Sequence, residues 1–260
     1  MNRKGKLYGV GTGPGDPELL TLKAVRTVKE ADIIAIPNDD PEDCIPWKTV
    51  TAAVPEIRNK KLLKVPFLME KDLEARKAVR KQNADRIAAL LDQGLNVAFL
   101  TIGDPSIYTT YSYVSALLSP QGYLCEMISG VPSFCGASAR LNITLCSDQE
   151  KLEIIPGGGH AKKKEESPSD DPAEEDPGTS PPPEGSGHPG CGSGATQIYM
   201  KYESQFPDLI AELGQRGEEP LIIENCCLEG ERAFKDHRKL PGDIGYFNIV
   251  ISHNDGKSRR

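Results

Sequence analysis

Four glycines alternate along Leu7-Tyr8-Gly9-Val10-Gly11-Thr12-Gly13-Pro14-Gly15-Asp16, directly after a short apolar run and ahead of a helical pattern. Glycine removes the side chain where backbone must approach a ligand or take a positive φ, and the N–H groups of such a turn favour polar ligand atoms. The chemistry this suits is main-chain capture of a small polar cofactor. It is not the dinucleotide fingerprint Gly-x-Gly-x-x-Gly. Counted from Gly11 the third glycine slot holds Asp16, and from Gly9 it holds Pro14, which has no N–H.

Alone, such a turn is as readily a structural bend as a ligand loop. Two further loops accompany it: Thr101-Ile102-Gly103-Asp104-Pro105-Ser106-Ile107-Tyr108 after the apolar run 96–100, and Ile128-Ser129-Gly130-Val131-Pro132-Ser133-Phe134 after 123–127. Each leads into a helical pattern, and three glycine-bearing loops at the carboxyl ends of strands point to one shared cleft. Within it, Asp104 suits polar recognition near a ligand, or a Gly-Asp-Pro turn whose carboxylate caps the next helix. Tyr108, Tyr111 and Tyr113 open that helix; tyrosines so placed often pack with one face buried, and Tyr108, nearest the turn, is the candidate for contact with substrate or for proton relay.

The elements that must position these loops read as an alternating αβ chain in two halves. In the first, strands near 7–12, 32–36, 61–65 and 95–100 alternate with helices near 18–30, 70–93 and 106–118. Ala78, Val79, Ala84, Ile87, Ala88, Leu90 and Leu91 form an apolar stripe at helical spacing, suited to core packing. Pro37, Pro41, Pro46 and Pro55 break the stretch 38–54 into turns expected to lie over the cleft. The second half opens near Tyr123, with strands near 123–128, 152–155, 196–201, 220–224 and 245–252 and helices near 132–142 and 205–216.

The chain of 260 residues is long enough for one large or two small domains with their own cores, yet its hydrophobic content is only 38% and its mean hydropathy −0.42. The deficit sits over 157–194, where Pro, Gly, Ser, Glu and Asp dominate, and such a tract buries too little apolar surface to offset its chain entropy. Disorder is the expectation there. Three lysines against eight acids give the tract a net charge of −5 out of the chain's −7, so the remainder carries only −2. That balance argues against nucleic acid as a partner. With neither a charged-then-apolar leader nor an apolar run of membrane length, the expected location is cytoplasmic, with no membrane partner. Seven cysteines without a Cys-x-x-Cys pair suit reduced thiols, and the spacings of His160, His188 and Cys191 match no standard metal-ligand pattern, so no metal is expected.

Together, Leu7 to Arg26, Val97 to Tyr111 (VAFLTIGDPSIYTTY) and Val131 to Cys146 (VPSFCGASARLNITLC) resemble the tetrapyrrole (corrin/porphyrin) methylases. The hallmarks of that family are a Gly-x-Gly-Pro-Gly-Asp loop, a Gly-Asp-Pro loop and a Gly-Val/Ile-x-Ser/Ala loop. The likeness is closest to the branch that methylates carbon 20 of precorrin-2 or its cobalt complex, and covers about 5–156 well and 196–252 loosely. It implies an α/β fold of two αβα domains, 1–119 and 120–156 with 196–254, with 157–195 as an acidic insert. S-adenosylmethionine would lie between the domains, against Pro14, Gly103, Asp104, Ile107, Pro132, Ser133, Met200 and Cys226. Met200 by pattern is equally a core residue, and Cys226 stands where many relatives carry another small residue. Tyr108 and Asp104 are the catalytic candidates; Lys23, Arg26, Arg140 and Lys201 are basic residues available to a carboxylate-rich tetrapyrrole. The resemblance further implies a homodimer. Relatives continue past the strand ending at Ile155 with an amphipathic helix, whereas this chain has Pro156 and glycines, so a second domain short of one helix is expected. The alternatives are a sister methylase acting on another ring carbon, a diphthine-forming methylase, or a cofactor-binding regulatory protein without turnover.

Overall fold

The computed structural model describes residues 3–67, 72–148, 150–157 and 195–253; the tract over 158–194, with His160, His188 and Cys191, lies outside them. Two five-stranded sheets organise the chain. In the first, β1 (Lys6–Gly11), β2 (Ile33–Ile36), β3 (Lys61–Lys64), β4 (Val97–Thr101) and β5 (Leu124–Ile128) run parallel in the order β3-β2-β4-β1-β5. Parallel strands covered on both faces read as unbroken apolar runs, and IIAI of β2 and VAFLT of β4 are buried throughout.

Alternate side chains of these strands feed two layers. Val10, Ile34, Ile36, Ala98 and Leu100 pack under α1 (Leu22–Glu30) and α2 (Ile45–Ala53), whose Ala24, Val28, Trp47 and Val50 close that core. On the opposite face, Leu7, Ile33, Ala35, Val97 and Phe99 meet Ala84, Ile87 and Leu91 of α3 (Leu73–Leu91) and Tyr111, Val114 and Leu118 of α4 (Thr110–Leu118). Gly9 is required there, because a Cβ on it would sit 2.6 Å from the ring of Tyr111.

The second sheet takes β6 (Lys151–Pro156), β7 (Ala195–Met200), β8 (Leu221–Glu224), β9 (Arg232–Phe234) and β10 (Asn248–His253) in the order β6-β7-β10-β8-β9. The β6–β7 pair is parallel and the others antiparallel. Both faces carry a helix. Phe134, Ala137 and Leu141 of α5 (Ser133–Leu141) cover Ile198, Met200, Ile223 and Ile251, while Phe206, Leu209 and Leu213 of α6 (Phe206–Gln215) cover Tyr199, Ile222 and Val250. Because α5 crosses from the end of β5 onto this sheet, both of its faces are covered by described residues, and the expected absence of a helix after Pro156 falls outside the described residues. Among the described residues no helix is long and apolar enough to cross a membrane.

Several elements differ from their sequence reading. The strand near 123–128 belongs to the first sheet, not the second half: it pairs with β1, since the α4 crossover delivers it beside that strand. The stretch 38–54 contains α2 rather than turns over the cleft. Pro46 sits in the first turn, where a missing N–H costs nothing, and Trp47 and Val50 are buried. The helix expected from 106 begins only at Thr110, because Tyr108 at φ 48° holds the preceding backbone out of the helix. The helix near 18–30 splits into a 3₁₀ turn over Pro17–Leu19 and α1, whose N-cap Thr21 accepts from the N–H of Ala24. The last strand starts at Asn248, and β9 was not foreseen. On α3, Ala78 is exposed while Asn83 is buried, donating to the carbonyl of Pro66 at 2.7 Å.

Candidate functional site

The three glycine loops follow β1, β4 and β5 and meet at one end of the first sheet. Gly13 and Gly103, at φ 71° and 70°, exchange backbone hydrogen bonds: the N–H of Gly103 donates to the Gly13 carbonyl at 2.8 Å, and that of Gly13 to the Gly103 carbonyl at 3.2 Å. Contact with the third loop is closer still. A Cβ on Gly11 would fall 2.6 Å from the Gly130 nitrogen, and one on Gly130 would fall 2.2 Å from the Gly103 oxygen. These glycines thus let three backbones pack without intervening side chains. From below, Thr49 of α2 donates its hydroxyl to the Gly15 carbonyl at 3.2 Å.

Asp104 fastens the second loop to the third. One carboxylate oxygen accepts from the N–H of Ser106 at 2.9 Å and from its hydroxyl, and the other accepts from the N–H of Gly130 at 3.0 Å. It forms a turn within its own loop rather than capping α4, whose N-cap position is Thr109. Burial alone would raise its pKa, but the hydrogen bonds from Ser106, Gly130 and Ser129 prevail and hold the carboxyl below its ordinary value. The stability Asp104 contributes is therefore present above its unfolded pKa and is lost as pH falls through the folded one. Asp104→Asn should cost about 1–3 kcal/mol near neutrality and show a shallower acid-side loss of stability than the parent. Urea melts at pH 7 and pH 3.5 check both; parallel acid limbs would remove the assignment.

Above the loops lies an open pocket whose walls come from both sheets. Pro14, Gly103, Asp104 and Ile107 border it from the first two loops, Pro132 and Ser133 from the start of α5, and Met200 and Cys226 from the ends of β7 and β8. All eight positions singled out in the sequence for the cofactor therefore share one cavity. Met200 also belongs to the core under α5, so both of its readings hold.

Tyr108 lines the same pocket; its hydroxyl donates to the Ile154 carbonyl of β6 at 3.1 Å and its ring is partly exposed. Tyr111 is fully buried, its hydroxyl donating to the Glu126 carbonyl at 3.3 Å, and Tyr113 lies beneath the guanidinium of Arg80. Of the four basic candidates only Lys201 reaches the pocket. Lys23 pairs with Glu126 at 3.2 Å, Arg140 with Asp16 and Glu231 at 3.5 and 3.4 Å, and Arg26 is an exposed residue of α1. Lys201 donates through Nζ to the Tyr108 carbonyl at 2.9 Å, and burial holds its ammonium below the ordinary lysine pKa. Leu228, Tyr246, Phe247 and Asn248 also border the pocket without having been singled out.

Six described non-glycine residues have positive φ; Tyr108 and Lys201 line the pocket, and Asn225 and Cys227 flank Cys226. An L-residue there costs roughly 1–2 kcal/mol, and such strain gathers where a site demands it.

This architecture matches known proteins. Solved structures similar to it include uroporphyrin-III-C-methyltransferase from Thermus thermophilus, with TM-score 0.62 and 19% identity covering 96% of this chain and 94% of that one, and a cobalt precorrin-4 methyltransferase, with TM-score 0.64 and 18% identity covering 95% and 94%. Another structure of the Thermus enzyme, complexed with S-adenosyl homocysteine, aligns with TM-score 0.59 and 19% identity over 95% of this chain and 97% of that one. In sequence, a probable cobalt-precorrin-2 C(20)-methyltransferase of Methanocaldococcus jannaschii is 38% identical over 154 residues, 59% of this chain. The match spans 64% of that relative, a little under two thirds of its length. The cobalt-precorrin-2 C(20)-methyltransferase of Salmonella typhimurium is 25% identical over 252 residues, 95% of each chain. The model of the Tetrapyrrole (Corrin/Porphyrin) Methylases matches residues 6–239, and with nine-tenths of the sequence covered and the glycine loops in place, the chain belongs to that family.

Proposed function

We propose that this protein is an S-adenosylmethionine-dependent methyltransferase that adds one methyl group to carbon 20 of precorrin-2 or its cobalt complex, in cobalamin biosynthesis. The observation that carries the reading is the convergence of the eight cofactor positions on one pocket. The pocket suits that cofactor because glycine- and proline-bearing loops border it on one side and Ile107, Met200, Phe247 and Ile249 give it apolar walls. At Gly103 a Cβ would meet nothing nearer than 3.8 Å, so the absent side chain leaves usable space. S-adenosylmethionine, when bound, supplies a methyl group already electrophilic on its sulfonium, which leaves the protein to bind, align and exclude water.

Gly103, Pro132 and Ser133 hold the polar parts of the cofactor along the loops, and Ile107, Met200 and Cys226 keep water from its apolar side. Tyr108, on the rim, is the side chain we assign to the acceptor; to relay the proton that carbon 20 must lose, its hydroxyl must first release the Ile154 carbonyl. Asp104 acts by keeping the loops together. We place the domain boundary within 129–132, after β5 rather than at 119, and expect two chains to associate as a homodimer.

Regiochemistry tests the proposal. With carbon-13 methyl donor and precorrin-2, with and without cobalt, the product should gain one methyl group, located by NMR at carbon 20. A label on any other ring carbon moves the chain to a sister activity. Tight binding of S-adenosylhomocysteine without transfer to either acceptor would make it a cofactor-binding regulator.

A further inference from the structure

Cys226 and Cys227 are adjacent in sequence, and in extended backbone adjacent side chains point to opposite faces. Here they do not. Asn225 at φ 50° and Cys227 at φ 62° turn the chain at the end of β8 so that the two Sγ atoms lie 3.6 Å apart. Four residues on, a Glu231 carboxylate oxygen lies within 4.8 Å of both sulfurs. That carboxylate is held in place, since Glu231 Oε2 accepts from the N–H of Cys227 at 2.7 Å and pairs with Nε of Arg140 at 3.4 Å. The loop is also clamped from outside: Cys227 packs over Gly136 of α5, where a Cβ would stand 3.4 Å from its Sγ, and a Cβ on Gly15 would sit 2.8 Å from the Cys227 carbonyl oxygen.

The geometry points to a binding site for a thiophilic divalent cation of the zinc class, with Cys226 Sγ, Cys227 Sγ and a Glu231 oxygen as ligands and one position open. Tetrahedral zinc with Zn–S bonds of about 2.3 Å separates its two sulfurs by about 3.8 Å, close to the spacing already present. Two thiolates and a carboxylate exceed the charge of the cation by one, and Arg140 stands against Glu231 to balance it. Binding exchanges the two thiol protons for the metal and needs no oxidant. The spacing Cys-Cys-x-x-x-Glu matches none of the usual zinc motifs, and the sequence alone gave no reason to expect a metal here. Because Cys226 also lines the pocket, the cation would sit in the pocket wall, independently of which acceptor the enzyme methylates.

Titration of the reduced, full-length protein with Co²⁺ under anaerobic conditions tests this. Expected are a stoichiometric thiolate-to-cobalt charge-transfer band with tetrahedral visible bands, both removed by Zn²⁺, and micromolar or tighter Zn²⁺ affinity against a chromogenic chelator. Cys227→Ser, which leaves Cys226 as the one thiolate ligand, should at least halve the charge-transfer band, Glu231→Gln should weaken Zn²⁺ binding at least tenfold, and Cys135→Ser, on exposed α5 surface, should change neither. Glu231 is exposed, so its variant decides the matter even if Cys227→Ser does not fold. Absence of the band, its persistence at full intensity in Cys227→Ser, or unchanged affinity in Glu231→Gln each overturns the site.

Discussion

Gly130→Ala is expected to abolish measurable binding of S-adenosylhomocysteine, a loss of at least a hundredfold, and to lower the melting temperature by several degrees. The added Cβ would meet the Gly103 oxygen at 2.2 Å, and the Gly11 carbonyl carbon and Cα at 2.8 and 2.9 Å. All three are backbone atoms, so no rotamer change relieves the contact and the loops must separate. Overpacking of this kind costs about 1–3 kcal/mol, and the separation also strains the Asp104 bond to the Gly130 N–H. Gly103→Ala is the informative companion. Its Cβ meets no backbone closer than 3.8 Å, so its stability cost is conformational, about 1–2 kcal/mol for an L-residue at φ 70°. Yet it projects toward the pocket and should weaken the ligand by about tenfold. Calorimetry with thermal melts separates the two, and wild-type affinity in both variants would show that the loops do not form the binding surface.

The first-sheet half of the site is legible in sequence because its determinants are local. Gly11, Gly13, Gly103 and Gly130 each report a close backbone approach or a positive φ, and those demands leave a mark on the residue itself. The second-sheet half is not legible in that way. Met200 and Cys226 reach the pocket because β7 and β8 flank β10 in a fixed register, Ile249 opposite Met200 and Ile223. Pairings over such separations leave no local pattern, and only likeness to the family singled these residues out. The placement of β5 beside β1 is likewise a matter of strand order, which periodicity does not carry. Helix α2 was hidden for the opposite reason: local signals were present but misleading, since four prolines spoke for turns while Pro46 fell in the first helical turn, which tolerates it. Asp104 reads as a ligand contact or as a turn residue from sequence; in the folded chain it makes the turn and stays on the pocket wall.

Lys201→Met should separate binding of the acceptor from binding of the methyl donor. Lys201 and Asp104 are the two charged side chains on the pocket wall among the described residues, and Asp104 is occupied by loop hydrogen bonds. Lys201 holds its ammonium at the carbonyl of Tyr108, in a backbone conformation at φ 62° that a β-strand end does not require. A half-buried ammonium whose partner among the described residues is a main-chain carbonyl costs stability, and under the proposed function that cost would serve an acceptor that brings its own carboxylates. The sign of the pH effect follows from burial: with the folded pKa depressed, the penalty is full below it and fades as pH rises toward the ordinary lysine value. Lys201→Met should therefore flatten the gain in stability on the alkaline side. A charge-assisted hydrogen bond is worth about 1.5–3 kcal/mol, so KM for the tetrapyrrole should rise by about tenfold to a hundredfold while Kd for S-adenosylhomocysteine stays within about threefold. Lys201→Arg, which keeps the charge but replaces the compact ammonium with a planar guanidinium, should recover part of the loss. Equal losses for acceptor and donor would assign Lys201 to the packing of the Tyr108 loop, and an unchanged KM would place the carboxylates of the acceptor elsewhere.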